Sequence, residues 1–356
     1  MTWPPEIEFL RELVSTPSVS GSEEAAGRLV EARAHEWGLD VTRDEAGVRV
    51  EVRGRAPGPT LALVSHLDTV PAGEGWTRDP FRASIEEGRL YGRGAGDAKG
   101  PAAAMLAAAW DLARDQRLAR GRLLVILGYG EETRHTTMLE AVRRSGSIDA
   151  AIIGEPTNLD FAVAQRGLMM VDLVATGDQR HAGYASTDGE FSNAAVVLAG
   201  DLLKLGALFP DRPHAVLGAP TVTPTMLEAG VSRNVTPPSA RAVLDIRSTP
   251  AWPHDEIARR LRESLRSEVV VTSDRLVPCE TPATSQLLPI MQATRRASRA
   301  YGSPTCSDWV FLRDRDAVKC GPGTSRRSHT PDEYVDLHEV SAARDLYAQV
   351  AERYLA

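Results

Sequence analysis

The stretch TLALVSHLD, residues 60–68, decides the fold of this 356-residue chain. Its continuous apolar run, closed by a histidine and an aspartate, is typical of a buried strand in a parallel sheet. Two similar runs follow, RLLVILGYGEE at 122–132 and AAIIGEPT at 150–157. An alanine-rich segment at about 100–113 lies between the first two runs and is predicted to be a helix. Strands that alternate with helices predict an α/β sheet.

The pattern of elements divides the chain into two predicted domains. From about residue 166, strands and helices follow one another in an order typical of a small α+β unit. We therefore predict an inserted domain of residues 166–277 within an outer domain of residues 1–165 and 278–356. After the insertion, the chain returns to the outer domain through a predicted long helix at about 285–301. Near the start, Ser20 and Glu23 have the spacing of a capping box at the N-terminus of a second helix.

Composition and charge exclude several classes of protein. The chain has 48 acidic and 41 basic residues, a net charge of -7 and no run of lysine or arginine longer than a pair. This argues against a protein that coats nucleic acid or an anionic membrane. Three cysteines without CxxC spacing suit a reducing compartment. The first residues lack the pattern of a signal peptide, and no apolar run is long enough to span a bilayer, so we expect a cytoplasmic protein.

Acidic residues and a histidine close the predicted strands and stand in the glycine-rich loop GRGAGDAKG at 92–100. These residues are His66, Asp68, Asp97, Glu131, Glu132 and Glu155. Each one alone is more often structural, but ligands of α/β sheets bind at the carboxyl ends of strands, where these groups should converge. Clustered carboxylates repel unless a divalent cation neutralises them, and these N and O donors suit Zn²⁺ better than Ca²⁺ or Mg²⁺. The glycine loop fits neither phosphate-binding fingerprint, and no HExxH motif is present.

Seven strings of residues, taken in their order and spacing, carry a resemblance to a known family. They are SHLDTVP at 65–71, GWTRDPF at 75–81, GRLYGRGAGDAKGP at 88–101, GEE at 130–132, GEPT at 154–157, GPG at 321–323 and SHTPDEYV at 328–335. The chain resembles the dinuclear zinc amidohydrolases, which include acetylornithine deacetylase, succinyl-diaminopimelate desuccinylase, aminoacylase and glutamate carboxypeptidase. The resemblance implies a central mixed sheet flanked by helices for the outer, catalytic domain. It implies a ferredoxin-like dimerisation or lid domain for the insertion.

The resemblance also implies a metal centre. Each subunit would bind two Zn²⁺ ions, for which Co²⁺ could substitute. One cation would be held by His66 and Glu155 and the other by Glu132 and His329. The Asp97 carboxylate would bridge the two cations.

Three further residues have implied catalytic roles. Asp68 would orient the ring of a metal-bound histidine, and Glu131 would act as general base towards a water and then protonate the leaving amine. In the family, a histidine from the partner subunit's inserted domain donates to the developing oxyanion, which implies a homodimer. The string ATGDQRHAGYAS at 175–186 places His181 there, although Ala-Gly stands where Ser-Ser is usual after this histidine. The alternative for His181 is a surface histidine.

The same resemblance implies residues that line the substrate pocket. They are Asn234, Arg247, Ser307, Asp308 and Gly323, with Arg247 placed to bind a carboxylate by two hydrogen bonds. The pair Arg326 and Arg327 either binds an acidic acyl group or is solvated. The remaining histidines are expected to be structural; they are His35, His135, His214, His254 and His338.

The substrate is the open question at this stage. The short chain and the string GAGDAKGP at 94–101 resemble the branch of carrier-linked lysine hydrolases. These release lysine or ornithine from the γ-carboxyl of the C-terminal glutamate of an amino-group carrier protein, in lysine or arginine biosynthesis. A small N-acyl amino acid, either acetylornithine or succinyl-diaminopimelate, stays an alternative because the metal chemistry is the same. A catalytically silent binding protein is the remote alternative, and the complete set of implied ligands and base argues against it.

Overall fold

The computed structural model describes residues 3–133, 136–185 and 191–356, and only the backbone of Thr136. The α-helices in these ranges are α1 (Pro5–Val14), α2 (Glu24–Glu36), α3 (Gly100–Arg114), α4 (Thr136–Arg144), α5 (Ala194–Leu202), α6 (His254–Ser264), α7 (Leu287–Thr294) and α8 (Leu337–Tyr354). The strands are β1 (Asp40–Asp44), β2 (Gly47–Arg53), β3 (Ala56–His66), β4 (Ser84–Glu86), β5 (Arg89–Tyr91), β6 (Arg120–Gly128), β7 (Ala150–Ile153), β8 (Phe161–Gln165), β9 (Gly167–Thr176), β10 (Thr221–Ala229), β11 (Ser239–Ser248), β12 (Glu268–Leu276), β13 (Cys279–Glu280), β14 (Ala300–Ser303), β15 (Asp316–Lys319) and β16 (Tyr334–Asp336). The chain forms two compact units. The first comprises Met1–Val163, Thr281–Tyr301 and Ser307–Ala356, and the second comprises Ala164–Glu280 and Gly302–Cys306.

The first unit is built on a mixed sheet with the strand order β1-β2-β6-β3-β7-β15-β8. The neighbours β6, β3, β7 and β15 run parallel, while β1, β2 and β8 pair in antiparallel fashion. The predicted α/β class with a central mixed sheet is therefore confirmed. The register places His66 beside Gly128, Val64 beside Ile153, and Ile153 beside Lys319. Hence the carboxyl ends of all four parallel strands lie at one edge of the sheet.

Helix α3 owes its burial to small side chains. Every residue from Gly100 to Ala109 is buried, and six of these ten are alanines. The helix packs against α1 and α8, and its core is shared with the apolar side chains of β2, β3 and β6. Alanine favours the helix and lets α3 pack closely against its neighbours. Because α3 begins at Gly100, the last residue of the glycine loop, its packing fixes the position of the loop that carries Asp97.

The second unit has the element order β9, α5, β10, β11, α6, β12 and an antiparallel sheet in the order β10-β11-β9-β12. Burial alternates along β9, so that Met169, Val171, Leu173 and Ala175 share one face with the core side chains of α5 and α6. This is the ferredoxin-like arrangement expected of the insertion. Its role in dimerisation stays a prediction.

The capping box predicted before α2 is wrong. The helix begins at Glu24, and Glu23 makes no capping hydrogen bond with its side chain. Instead, Glu23 Oε1 accepts hydrogen bonds from the amides of Gly21 and Gly130. The Ser20 hydroxyl donates to Asp68 Oδ2 at 2.8 Å. Long-range partners have therefore taken both side chains away from the helix end.

The long helix predicted at about 285–301 is also wrong, because α7 ends at Thr294. A turn at residues 296–297 follows, and the chain then pairs with β8 as strand β14. The amide of Phe161 donates to the carbonyl of Arg299 at 2.9 Å. Backbone groups that a longer helix would have used for its own hydrogen bonds, such as the Arg299 carbonyl, therefore pair with the sheet instead.

Helix α8 is the longest of the described helices, with 18 residues. Charged residues recur along its sequence, LHEVSAARDLYAQVAERY. Within the described ranges, no helix combines the length and the apolar character needed to cross a membrane.

Gly321, which follows β15, tests the packing that places Glu155. A Cβ atom at Gly321 would lie 2.7 Å from the backbone oxygen of Glu155. We expect Gly321→Ala to lower the free energy of unfolding by about 1–3 kcal/mol, because backbone atoms would have to move. The control is Gly200→Ala in α5, where a Cβ meets nothing within 4 Å and where alanine should stabilise the helix by up to about 1 kcal/mol. Chemical denaturation followed by circular dichroism measures both, and equal stability of the two variants would contradict the expectation.

Candidate active site

His66, the last residue of β3, faces carboxylates with both of its ring nitrogens. Its side chain is 1% exposed. Nδ1 lies 3.1 Å from the backbone oxygen of Asp68 and 3.4 Å from Oδ1 of that residue. Nε2 lies 3.3 Å from Asp97 Oδ1 and 3.9 Å from Glu155 Oε1. Among the described residues, this buried Nε2 atom has no hydrogen-bond partner.

Asp97 stands between two histidines. While its Oδ1 faces His66, its Oδ2 lies 3.7 Å from His329 Nε2. The same His329 nitrogen is 2.9 Å from both carboxylate oxygens of Glu132. Ligand atoms of His66, Asp97 and Glu132 all lie within 4.8 Å of one another. The two oxygens of one carboxylate therefore point towards two separate groups of donors.

Asp68 holds the segment after β6 in place. Its Oδ1 accepts a hydrogen bond from the amide of Glu131, and its Oδ2 accepts one from the amide of Glu132, each at 3.0 Å. Asp68 is fully buried, which by itself would raise its pKa. Hydrogen bonding and the charge of His66, with help from Ser20, outweigh burial and lower the pKa to about 2. Asp68 is therefore a permanent anion that fixes the backbone of both glutamates.

The loop that carries Asp97 has a constrained backbone. Gly94 has φ +81°, and a Cβ there would lie 2.6 Å from the Thr69 side chain; the Asp97–Ala98 peptide bond is cis. Glu333 accepts hydrogen bonds from the amides of Gly94, Gly96 and Asp97. The strings around Asp97 and His329 are thus connected through a buried glutamate.

Burial, together with repulsion from neighbouring carboxylates, raises the pKa values of two of the glutamates. Burial raises the pKa of Glu155 to about 8, and the Asp97 charge adds to this effect. Burial also raises the pKa of Glu131 well above its usual range; the opposing charge of His66 is outweighed, with Glu155 and Asp308 contributing. Burial therefore favours the protonated form of both carboxyls, and a divalent cation nearby would favour the ionised form.

The residues present fit a pair of divalent cations. The donors are imidazole nitrogens and carboxylate oxygens, which suit zinc and similar transition metals. The buried His66 Nε2 without a hydrogen-bond partner has the environment of a ligand atom rather than of a core histidine. His66 and Glu155 would hold one cation and Glu132 and His329 the other, with Asp97 shared. This agrees with the roles implied by the sequence, which stay predictions.

The first unit also contains five of the expected pocket residues. Ser307 and Asp308 are buried, and the charge of Asp308 acts on both Glu131 and Glu155. Gly323 has φ +84°, and its amide donates to Glu339. Arg326 and Arg327 are exposed in the loop that carries His329. The Arg327 guanidinium lies over the ring of Tyr334, 5.1 Å from its centroid.

The second unit brings two other expected residues together. His181 forms an isolated β-bridge with Val235, the residue after Asn234. The Ala182 amide donates a hydrogen bond to the Asn234 carbonyl at 2.8 Å. Both are exposed. The Gly183 amide donates to His181 Nδ1 at 3.1 Å, so the proton of the neutral ring is on Nε2. Arg247 forms a two-point ion pair with Asp245, at 2.7 and 3.0 Å.

The histidines expected to be structural include one with a clear structural environment. His254 is buried, with Nδ1 2.7 Å from the Asp274 carbonyl and Nε2 2.7 Å from the Ser248 hydroxyl. His135 lies outside the described residues.

Four residues near the proposed metal centre were not assigned to it from the sequence, and one of them, Ser20, was expected to cap a helix instead. Ser20 hydrogen-bonds Asp68, and Arg93 forms a buried ion pair with Glu333. Lys99, buried directly before α3, donates from Nζ to two backbone carbonyls at the end of α1. Two features of the sequence could have pointed to these residues. Lys99 is one of only three lysines, and Glu333 stands in the string SHTPDEYV.

Comparison with known families agrees with this geometry. The profile of Peptidase family M20/M25/M40 matches residues 62–353. The chain belongs to this family. It is accordingly a hydrolase of the metallopeptidase class, as the sequence led us to expect.

Solved structures of M20 proteins and their relatives share the fold over nearly the whole chain. One is the M20 family metallo-carboxypeptidase Sso-CP2 from Sulfolobus solfataricus, with 20% identity and a TM-score of 0.77; 99% of this chain and 100% of that chain are covered. Aminopeptidase PepT from Bacillus cereus has 17% identity and a TM-score of 0.81, with 98% and 97% covered. The YXEP protein of Bacillus subtilis, described as a dinuclear metal-binding peptidase, has 18% identity and a TM-score of 0.76, again with 98% and 97% covered.

Proposed function

We propose that this M20 chain hydrolyses an amide bond and releases lysine or ornithine from the γ-carboxyl of the C-terminal glutamate of an amino-group carrier protein. This reaction belongs to lysine or arginine biosynthesis in the cytoplasm. The hydrolytic chemistry rests on one observation: the two oxygens of Asp97 face two separate histidines. The choice of substrate rests on the string GAGDAKGP and its resemblance to carrier-linked hydrolases.

Two Zn²⁺ ions are the proposed cofactors, and Co²⁺ is the proposed substitute. When bound, such cations polarise a carbonyl and lower the pKa of water. His66 is preorganised for this task, because the Asp68 carboxylate and carbonyl hold its Nδ1 and so leave Nε2 as the donor atom. Metal-bound histidines generally need such a partner.

Glu131 is the proposed general base and acid. Its backbone is fixed by Asp68, and its side chain is buried beside the cluster without being needed as a ligand. Burial raises the pKa of this carboxyl well above its usual range, which makes it a stronger base. Glu131 would accept a proton from water during attack on the carbonyl and donate it to the leaving amine nitrogen. The bond broken is the amide C–N bond, and one water is consumed.

His181 is proposed to donate its Nε2–H to the developing oxyanion of the partner subunit's substrate. The hydrogen bond from Gly183 to Nδ1 supports this role, because it leaves the proton on the exposed Nε2. Dimerisation is supported by edge strand β10, whose Met226 and Leu227 are 54% and 61% exposed, and by Leu203 at the end of α5, which is 87% exposed. An apolar edge strand is a surface that proteins normally cover.

The role of Glu131 is tested by Glu131→Gln. We expect turnover to fall about 10²–10⁴-fold, the usual contribution of a positioned acid–base group, with metal content close to that of the wild type. Glu8→Gln, at an exposed position of α1, is the matched control. Turnover and bound metal are measured on the same preparations, and loss of metal together with activity would show that Glu131 is a ligand.

The substrate is tested by hydrolysis assays with carrier-linked lysine, carrier-linked ornithine, acetylornithine and succinyl-diaminopimelate at equal concentration. We expect the highest kcat/KM for a carrier-linked substrate. A preference for either small substrate would contradict the carrier proposal but not the proposed metal-dependent hydrolysis. No turnover of any of them in metal-loaded protein would favour the silent binding protein.

The role of His181 across the dimer is tested by complementation. We expect His181→Ala and Glu131→Gln each to lose most activity, and mixed dimers of the two variants to regain about half of the wild-type activity. Each mixed dimer contains one site with an intact Glu131 and a partner's intact histidine. Two different affinity tags isolate the mixed dimer for assay. Full activity of His181→Ala alone, or of an isolated monomer, would refute the proposal.

A further inference from the structure

Glu333 is a buried carboxylate whose two oxygens are both occupied by donors from the glycine loop. Oε1 accepts hydrogen bonds from the amides of Gly96 and Asp97, at 3.0 and 3.2 Å. Oε2 accepts from the Gly94 amide at 3.2 Å and from Arg93 Nη1 at 2.7 Å. The side chains of Glu333 and Arg93 are only 1% and 2% exposed. The pair is therefore shielded from water and fully within the protein.

Arg93 extends the contact to two further segments. Its Nη2 donates to the carbonyl of Ala72, in the loop after β3, at 3.0 Å, and its Nη1 lies 3.4 Å from the carbonyl of Thr330. The backbone is joined as well, because the Gly92 amide donates to the Glu333 carbonyl at 2.9 Å. Thr330 directly follows His329. The ion pair thus connects the loop of Asp97 with the loop of His329.

A carboxylate is required at this position for a physical reason. Three amides of the glycine loop, those of Gly94, Gly96 and Asp97, point towards Glu333, and buried amides without acceptors are costly. Converging amides of this kind form a concave anion site, which Glu333 fills from the opposite loop. The charge of Arg93 then balances the buried carboxylate.

We propose that Glu333 and Arg93 are positioning residues that set the separation of Asp97 and His329, and thereby the affinity for the cation that these two residues share. This inference rests on the metal centre of the proposed function. It assigns neither residue to the reaction itself, since every carboxylate oxygen of Glu333 is used by the loop. The effect should be larger for the cation at His329 and Glu132, which depends on both Asp97 and His329, than for the one at His66 and Glu155, which depends on Asp97 alone.

Three variants separate positioning from general stability. Glu333→Gln keeps the volume but turns an NH₂ group towards two donors. Arg93→Lys keeps the charge but cannot reach Ala72 and Thr330 together with Glu333. The matched control is Glu6→Gln, because Glu6 is also a 1% exposed carboxylate paired with an arginine, Arg344, at 2.9 Å. The Glu6 carboxylate accepts hydrogen bonds from Ser341 and Arg344 of α8.

The full-length protein is stripped with a chelator and titrated with Zn²⁺ and with Co²⁺, with bound metal counted and the Co²⁺ absorption bands recorded. We expect two tight equivalents in the wild type and in Glu6→Gln. In Glu333→Gln, the affinity for one of the two metal equivalents should fall by about 10- to 100-fold, as for other residues that orient metal ligands. The Co²⁺ absorption bands should also change. Arg93→Lys should show a smaller loss in the same equivalent. Circular dichroism establishes that each variant is folded.

Wild-type affinity for both equivalents in folded Glu333→Gln would overturn the inference, as would an equal loss of metal in Glu6→Gln. If Glu333→Gln does not fold, Arg93→Lys decides, and unchanged metal binding there overturns the inference. A wild-type chain without two tight sites would instead contradict the proposed function.

Discussion

Repulsion among buried carboxylates is the constraint on which the site depends. Four parallel strands bring their carboxyl ends to one edge, and acids follow three of them directly or in the next loop. Burial raises the pKa of Glu131 and Glu155, and neighbouring carboxylates add to the effect. Two divalent cations would add four positive charges against the three negative ones of the carboxylates proposed to bind them. The local sign of the site could then be positive in a chain of net charge -7.

Two other carboxylates, Asp68 and Glu333, keep this cluster of carboxylates in place, and neither is a proposed ligand. Asp68 accepts the amides of Glu131 and Glu132, while Glu333 accepts three amides of the glycine loop. Both are buried and both bind backbone rather than metal. The positions of two proposed ligands, Glu132 and Asp97, therefore each depend on a carboxylate from elsewhere in the chain. This is the general requirement that metal ligands be oriented by a further layer of hydrogen bonds.

The sequence predicted those features that depend on local pattern. Continuous apolar runs identified β3, β6 and β7, and the residues that close them lie where the rule for parallel strands places them. Features decided by long-range contacts were missed. Ser20 and Glu23 have the spacing of a capping box, but Asp68 and the Gly130 amide bind them instead. The pairing of Arg93 with Glu333 joins residues 240 positions apart, a distance that no local pattern records.

The central claim is that Asp97 is shared by two cations. Anomalous diffraction at the zinc edge, on crystals of the zinc-loaded protein, tests it most directly. The account predicts two peaks on either side of the Asp97 carboxylate, one next to His66 and Glu155 and the other next to Glu132 and His329. A single peak, or two peaks of which only one touches Asp97, would contradict it.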